Sequence, residues 1–255
     1  MHLRHVGTTL FALVLSLTAY AQPTPVTVRV LSHDAKFVGS SVGGALVTLT
    51  EADSGRVLAQ GVTEGETGDT DLIVRTPRDR RASIVTEGAA GFTAQLDLER
   101  PTRIVATAYG PLDFPGSATS VSASRLLLPG QNLTEGDGWL LDLPGLIVEL
   151  GGLPDAPVRL EDGKSEIPIR ARVAMMCGCP IEPDGLWDAA EFEIEAMLER
   201  DGRIVRRLPM RYAGEPSEFA GTLLVTKPGN YHVIVTATQP RTGNSGSSRA
   251  AIGAL

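Results

Sequence analysis

The sequence predicts an all-β protein built as two tandem β-sandwich domains behind a secretory leader. Three observations carry this. Aromatic residues make up only 5% of the chain while Gly (28) and Pro (17) are plentiful, a composition that suits many short strands with tight turns and not a helical bundle. Apolar and polar residues alternate with period two in one segment after another, the mark of strands with one buried face. The 255 residues, less a leader, suit one large or two small domains of about 100–200 residues each.

The leader is read from MHLRHVGTTLFALVLSLTAYAQP. Arg4, flanked by His2 and His5, makes a short basic start, and Thr9 to Leu17 is mostly apolar. Ala19-Tyr20-Ala21 is a small-x-small cleavage site. That order predicts a cleavable signal peptide over residues 1–21, with the mature chain starting near Gln22. A spanning helix needs about 20 apolar residues, more than this run offers, and Pro23 and Pro25 end any helix there. The expected location is therefore secreted or periplasmic, with no membrane span after leader removal. Formal charge is −7 and the sequence pI is about 5.2, which leaves no electrostatic footprint for nucleic acid.

In the first half, Val26-Thr27-Val28-Arg29-Val30 alternates and predicts the first strand. Gly39–Gly44 is a turn region, and Ala45–Thr50 the next strand. Asp53-Ser54-Gly55 turns the chain into Arg56–Ala59. Gly61 to Asp71 reads as a solvated loop, with strands expected at Leu72-Ile73-Val74 and Ala82–Val85. Phe92, Ala94, Leu96 and Leu98 then share one face, and Arg103–Ala108 follows. Gly110–Gly138 is loop-like around one strand, Val121–Leu128. Two apolar runs, Trp139–Leu143 and Leu146–Leu150, lead to a domain boundary expected near Gly151-Gly152, within about ten residues. The domains are thus 22–150 and 151–255.

The second half alternates more regularly. Ile167, Ile169, Ala171, Val173 and Met175 face one way, as do Phe192, Ile194, Ala196 and Leu198. Asp201-Gly202 is a two-residue hairpin signal, and Arg203–Leu208 returns from it. Phe219–Val225, Tyr231–Ala237 and Ser247–Leu255 complete the set.

Gly229-Asn230-Tyr231-His232-Val233-Ile234-Val235 resembles the sixth strand of immunoglobulin-like and fibronectin-like domains. The resemblance covers about residues 150–255. It implies that the Tyr231 hydroxyl bonds back to the preceding corner, with Val233 where antibody domains carry a cysteine, so that their inter-sheet disulfide is absent. Gly44-Ala45-Leu46-Val47-Thr48-Leu49, then Gly55, Thr63 and Gly65, is similar to the carboxypeptidase-regulatory or transthyretin-like sandwich family over roughly residues 25–110. It departs from that pattern in Glu64-Gly65, where the family has Asp-Gly, and in a longer loop after it. Members are mostly accessory or adhesive modules, so the resemblance implies a role outside catalysis.

One constellation bears reactive groups: Met175-Met176-Cys177-Gly178-Cys179-Pro180. Strand alternation carries Met175, Cys177 and Cys179 to one inward face and Met176 to the other, at the mouth of the second sandwich. Three readings stand. The thiols form a tight disulfide, although residues i and i+2 of an extended strand lie about 6.5–7 Å apart, near the upper bridging limit unless Gly178 bends the chain. Or Cys177 and Cys179, helped by Met176 or Met175, bind a soft ion, Cu(I) before any other. Or the cysteines are small buried apolar residues. An oxidising compartment favours the first.

Other candidates weaken on inspection. His232 alternates outward. Glu191, Glu193, Glu195 and Glu199 mark a solvated strand face. Glu182, Asp184 and Asp188 fit no EF-hand spacing, and Trp187 suits a plug for the sandwich end. Asn132-Leu133-Thr134 matches a glycosylation sequon. The sequence has no phosphate-binding glycine loop or HExxH. The expectation is an exported, non-catalytic binding or accessory protein with no cofactor, whose partner is another envelope protein or a soft metal ion. The alternative is a periplasmic copper-binding or thiol-redox protein using Cys177 and Cys179. A hydrolase built on Asp184 and Asp188 ranks last.

Overall fold

A computed structural model describes residues 21–255. The expected leader, residues 1–21, lies outside the described residues apart from Ala21. The regular structure of the described chain is almost all β-strand, in four sheets packed as two sandwiches.

The first sandwich holds β1 (Gln22–Ser32), β2 (Leu46–Glu51), β3 (Val57–Val62), β4 (Phe92–Leu98), β5 (Thr102–Gly110), β6 (Thr119–Leu127) and β7 (Trp139–Leu143). Its sheets run β4-β1-β7 and β3-β2-β5-β6, with β7 parallel to β1. Alternation assigns the faces as expected: Val26, Val28 and Val30 of β1 meet Val47 and Leu49 of β2 and Ile104 and Ala106 of β5 in a closed core.

Two expected strands are something else. Asp71–Arg75 forms a π-helical turn. The Leu72 amide donates to Asp69 Oδ1 (2.7 Å), and Arg75 pairs with Asp71 one turn away (2.8 Å). Local polar partners outweigh the short apolar run. Residues 82–85 are irregular because the Ile84 amide and the Ser83 hydroxyl both donate to Asp137 Oδ1 (2.8 and 2.7 Å). A carboxylate takes the donor that a neighbouring strand would have used, and Ile84 is fully buried beside Phe37.

The second sandwich holds β8 (Leu146–Gly151), β9 (Ser165–Met175), β10 (Glu193–Arg200), β11 (Arg203–Pro209), β12 (Arg211–Tyr212), β13 (Glu218–Val225), β14 (Gly229–Gln239) and β15 (Asn244–Ala254). Its sheets are β12-β13-β9-β8 and β11-β10-β14-β15. That is the immunoglobulin-like arrangement of first, second, fifth and fourth strands facing third, sixth and seventh, with one added edge strand. Asp201 and Gly202 both take positive φ (51° and 73°), the backbone a two-residue hairpin needs. The Tyr231 hydroxyl donates to Lys227 O (2.7 Å), closing the corner before β14.

Leu146–Gly151 pairs with β9 across the register Leu146↔Met175 to Gly151↔Arg170. The strand therefore belongs to the second sandwich, and the chain changes sandwich at Pro144-Gly145, between the two apolar runs. That crossing lies ahead of the expected Gly151-Gly152. β8 is apolar because it is a central part of two buried surfaces: Leu146 and Val148 enter the second core, Ile147 the first.

Candidate functional site at the joint between the sandwiches

The Cys-Gly-Cys motif does not continue β9. The chain reverses there: the Gly178 amide donates to Met175 O (2.8 Å), the Met175 amide donates to Cys179 O (3.1 Å), and Ala174 pairs with Pro180. Gly178 makes the turn with φ of 79°, a left-handed conformation that costs a residue with a Cβ. A Cβ there would also come 2.7 Å from Val42 Cγ1 of the first sandwich. The reversal brings the Cys177 and Cys179 Cα atoms to 5.4 Å, inside bridging range, and the two Sγ atoms are bonded.

The expected open rim is absent. Cys177 is 1% exposed and Cys179 6%, packed with Ala35, Ile181 and Trp187 in the second core. Met175 lies in that core as alternation requires. Met176 points the other way and is equally buried, in the first core with Ile147 and Ala174. The physical reason is that the first sandwich covers the far side of β9. The outward residues change accordingly along the strand, from Glu166, Arg170 and Arg172 to Ala174 and Met176. A soft-metal set of Cys177, Cys179, Met175 and Met176 is therefore divided between two cores, with its sulfur pair already bonded.

Around the motif, polar groups tie the sandwiches together. The turn after β1 inserts Ala35 into the second core, and Asp34 takes φ of 58° to make it. Trp187 Nε1 donates to Asp34 O (2.9 Å) and Arg241 donates to Asp34 Oδ2 (3.1 Å). Trp187 does plug the end of its sandwich, against that turn. Asn244, 1% exposed, donates from Nδ2 to His33 O (3.0 Å) and accepts the Gly145 amide at Oδ1 (3.0 Å). Ser117 accepts the Val148 amide (2.9 Å) and donates to Val148 O (3.2 Å). Arg172 lies over the Phe114 ring at 5.3 Å. Asn244 and Ser117 thus find their partners across the joint, as burial demands.

The acidic candidates serve local structure. Asp188 Oδ1 accepts the Ala190 amide (3.0 Å) and caps a short 3-10 turn, Ala189–Glu191. Asp184 occupies a tight turn with φ of 56°. Tyr212 has its phenol pushed above the usual range by desolvation, with the charges of Glu182 and Glu215 adding to it. Glu195 pairs with Arg207 (2.6 Å), Glu199 with Arg249 (2.9 Å) and Glu191 with Arg241 (3.4 Å), so the strand face read as solvated is laced with ion pairs. His232 sits among them, opposite Glu199 and Ala251. Asn132 Oδ1 accepts from the Thr134 amide and hydroxyl in a tight exposed turn (2.9 and 2.7 Å). Among the described residues, no three His, Cys, Asp or Glu side chains gather closely enough to hold a metal ion.

In the first sandwich, the residues that carry the family resemblance have a visible purpose. The Thr63 hydroxyl is buried, donates to Val38 O (2.7 Å) and accepts the Ala45 amide (2.9 Å), while Gly65 turns with φ of 124°. Glu51 closes the opposite end. Its carboxyl is held below the usual range by the Ser54 hydroxyl (2.6 Å) first, and then by Arg56 and Arg100.

A feature that sequence reading passed over lies at the far end of the second sandwich. Four arginines fall between Arg200 and Arg207 in an otherwise acidic chain. Three of them, Arg200, Arg203 and Arg206, line a cavity of about 650 Å³. The signal was local charge density, hidden by the overall balance.

No family model matches the sequence, and no curated protein matches it. Among solved structures, it is similar to an engineered protein at 17% identity (TM-score 0.31), covering 51% of this chain and 24% of that one. The chain thus spans about a quarter of that protein's length. It is also similar to a DUF3823 family protein from Parabacteroides merdae at 10% identity (TM-score 0.28), covering 92% and 100% of the two chains. The fibronectin(III)-like modules of Clostridium thermocellum CbhA match at 12% identity (TM-score 0.27), covering 82% and 76%. None of these likenesses assigns a family or an activity.

Proposed function

We propose that the protein is an exported, non-catalytic binding or accessory protein of the cell envelope, acting as a stiff two-module scaffold. The observation that carries this reading is where the chain's two cysteines and Trp187 go. The most reactive residues of the sequence are consumed in the joint, which couples the sandwiches through one buried surface. A joint of this kind fixes the direction in which the second module presents its free end. We read the first module as carboxypeptidase-regulatory or transthyretin-like, supported by its three-plus-four strand layout and by the buried Thr63 anchor.

The copper or thiol-redox alternative asks more of the molecule. It needs the Cys177–Cys179 bond reduced and Met176 withdrawn from the first core before a sulfur set can assemble. The accessory reading needs no rearrangement.

Two experiments test the proposal. The full-length chain, expressed with its leader and fractionated, should accumulate outside the cytoplasm with an N-terminus at Gln22. A broad substrate screen on that material should show no turnover. Turnover abolished by a single substitution, or retention of the uncleaved chain in the cytosol, would overturn the reading.

A further inference from the structure

The free end of the second sandwich carries a cavity that the joint leaves open. It exists because β12 is only Arg211–Tyr212, so the sheet facing β11 stops short and the inter-sheet space beyond it is uncovered. Core residues form its floor: Leu198 and Tyr231, both almost fully buried, with Leu224 beside them. Its volume, about 650 Å³, falls in the range of small-ligand sites, roughly 300–1,000 Å³.

The rim is cationic. Arg200, Arg203, Arg206 and Lys227 line it against one acid, Asp201, which lies 3.5 Å from Arg200. Among the described residues, Arg203, Arg206 and Lys227 make no ion pair. Elsewhere on the same hairpin, arginine is neutralised, as Arg207 is by Glu195 (2.6 Å).

The backbone is arranged to gather these charges. In a regular strand, Arg203 and Arg206 would point to opposite faces, being an odd number of residues apart. The β10–β11 register slips between Leu198 and Glu199, whose partners are Arg206 and Ile204, leaving Val205 as an extra residue. That bulge turns both arginines to the face of Leu198, the inner one. Arg203 then stands directly opposite Arg200, a like-charge pairing that weakens a sheet unless something neutralises it. Arg200 is itself fixed, with its guanidinium 5.5 Å from the Tyr231 ring centre and donating weakly to the hydroxyl (3.4 Å). Planar guanidiniums above an apolar floor suit an oxyanion on an apolar body.

We propose that this cavity binds a small organic oxyanion: a phosphate, sulfate or carboxylate group carried on an apolar moiety. The inference deepens the accessory reading by naming a ligand class and rests on it in one respect, that the ligand is held and not transformed.

Phenyl phosphate is a suitable probe, with inorganic phosphate and phenol as its separate halves. Titrated into the mature chain and followed by NMR, it should shift Tyr231, Leu198 and Leu224 resonances saturably. It should bind at least about tenfold tighter than either half, and more weakly as salt is raised. The Arg203→Gln/Arg206→Gln double variant should lose at least tenfold in affinity with an unfolding midpoint no lower than that of the wild type, since both side chains are exposed and the change relieves the like-charge pairing with Arg200. Absence of saturable shifts at those three residues, or equal affinity in the variant, overturns the site. Inorganic phosphate binding as tightly as phenyl phosphate overturns the apolar part of the proposal. Release of phenol would sink the non-catalytic reading while leaving the site in place, so the two failures are distinguishable.

Discussion

The two ends of the second sandwich are built from the same strands and treated in opposite ways. At the end near Met175, Glu193 and Gln239, the opening is filled: Trp187 and the Cys177–Cys179 turn close it, and the turn carrying Asp34 and Ala35 docks on top. At the end near Arg200 and Tyr231, a core tyrosine and leucine are left under an open cationic rim. One end ties the sandwiches by hydrogen bonds from Trp187 and Asn244 to the turn after β1. The other collects four cations, of which Arg203, Arg206 and Lys227 make no ion pair among the described residues. Chemically unusual residues thus mark a structural joint here, while ordinary arginines mark the surface where a ligand fits.

Breaking the closed end should cost the most. Trp187→Ala removes a buried ring and its hydrogen bond to Asp34 O, and such truncations cost about 3–5 kcal/mol. Urea unfolding should show that loss, with the single transition of the coupled sandwiches splitting into two. A loss below about 1 kcal/mol would mean that Trp187 is no plug. The open end should be less sensitive. Tyr231→Phe leaves the ring in the core and removes only the hydroxyl donated to Lys227 O, worth about 0.5–1.5 kcal/mol. The transition should stay single, because the corner lies away from the joint.

A third region sharpens the contrast between paired and unpaired arginines. Arg56 and Arg100 have Glu51 (3.4 and 3.1 Å), whereas Arg203 and Arg206 have no carboxylate partner among the described residues. Because the Glu51 carboxyl is held below its ordinary value in the folded chain, its contribution is present above the unfolded carboxylate range. It is lost as pH falls through the depressed folded value. Unfolding measured against pH should therefore show wild type ahead of Glu51→Gln near neutrality and the two converging in acid. A gap that persists unchanged to low pH would assign the effect to packing. This is the smallest of the expected differences.

Much of this architecture is legible in the alternation of residues. The period-two pattern assigns the inward faces of β1, β9, β10 and β14, and Tyr231 marks the corner before β14. Alternation also places Met176 opposite Cys177. It cannot say that both sides of β9 are covered, since a second surface comes from residues far away in the chain, above all the Asp34 turn and Val42. The change from Arg170 and Arg172 to Ala174 and Met176 on the outward side was the available clue. The segments around Leu72 and Ile84 misled because Asp69 and Asp137 bond their amides directly, and side-chain competition for backbone donors leaves no trace in a hydropathy pattern. The cavity was missed for a related reason. A β-bulge decides which face Arg203 and Arg206 share, and a bulge is set by pairing with β10.

Everything at the closed end depends on the cysteines being part of the joint. Alkylation of the native mature chain followed by intact mass measurement tests this directly, first without and then with a mild reductant. Cysteines locked in the joint should gain no mass in either case, and two alkyl groups only after reduction in denaturant. Rapid alkylation of both sulfurs in the folded protein, or copper retained on them after mild reduction, would contradict it.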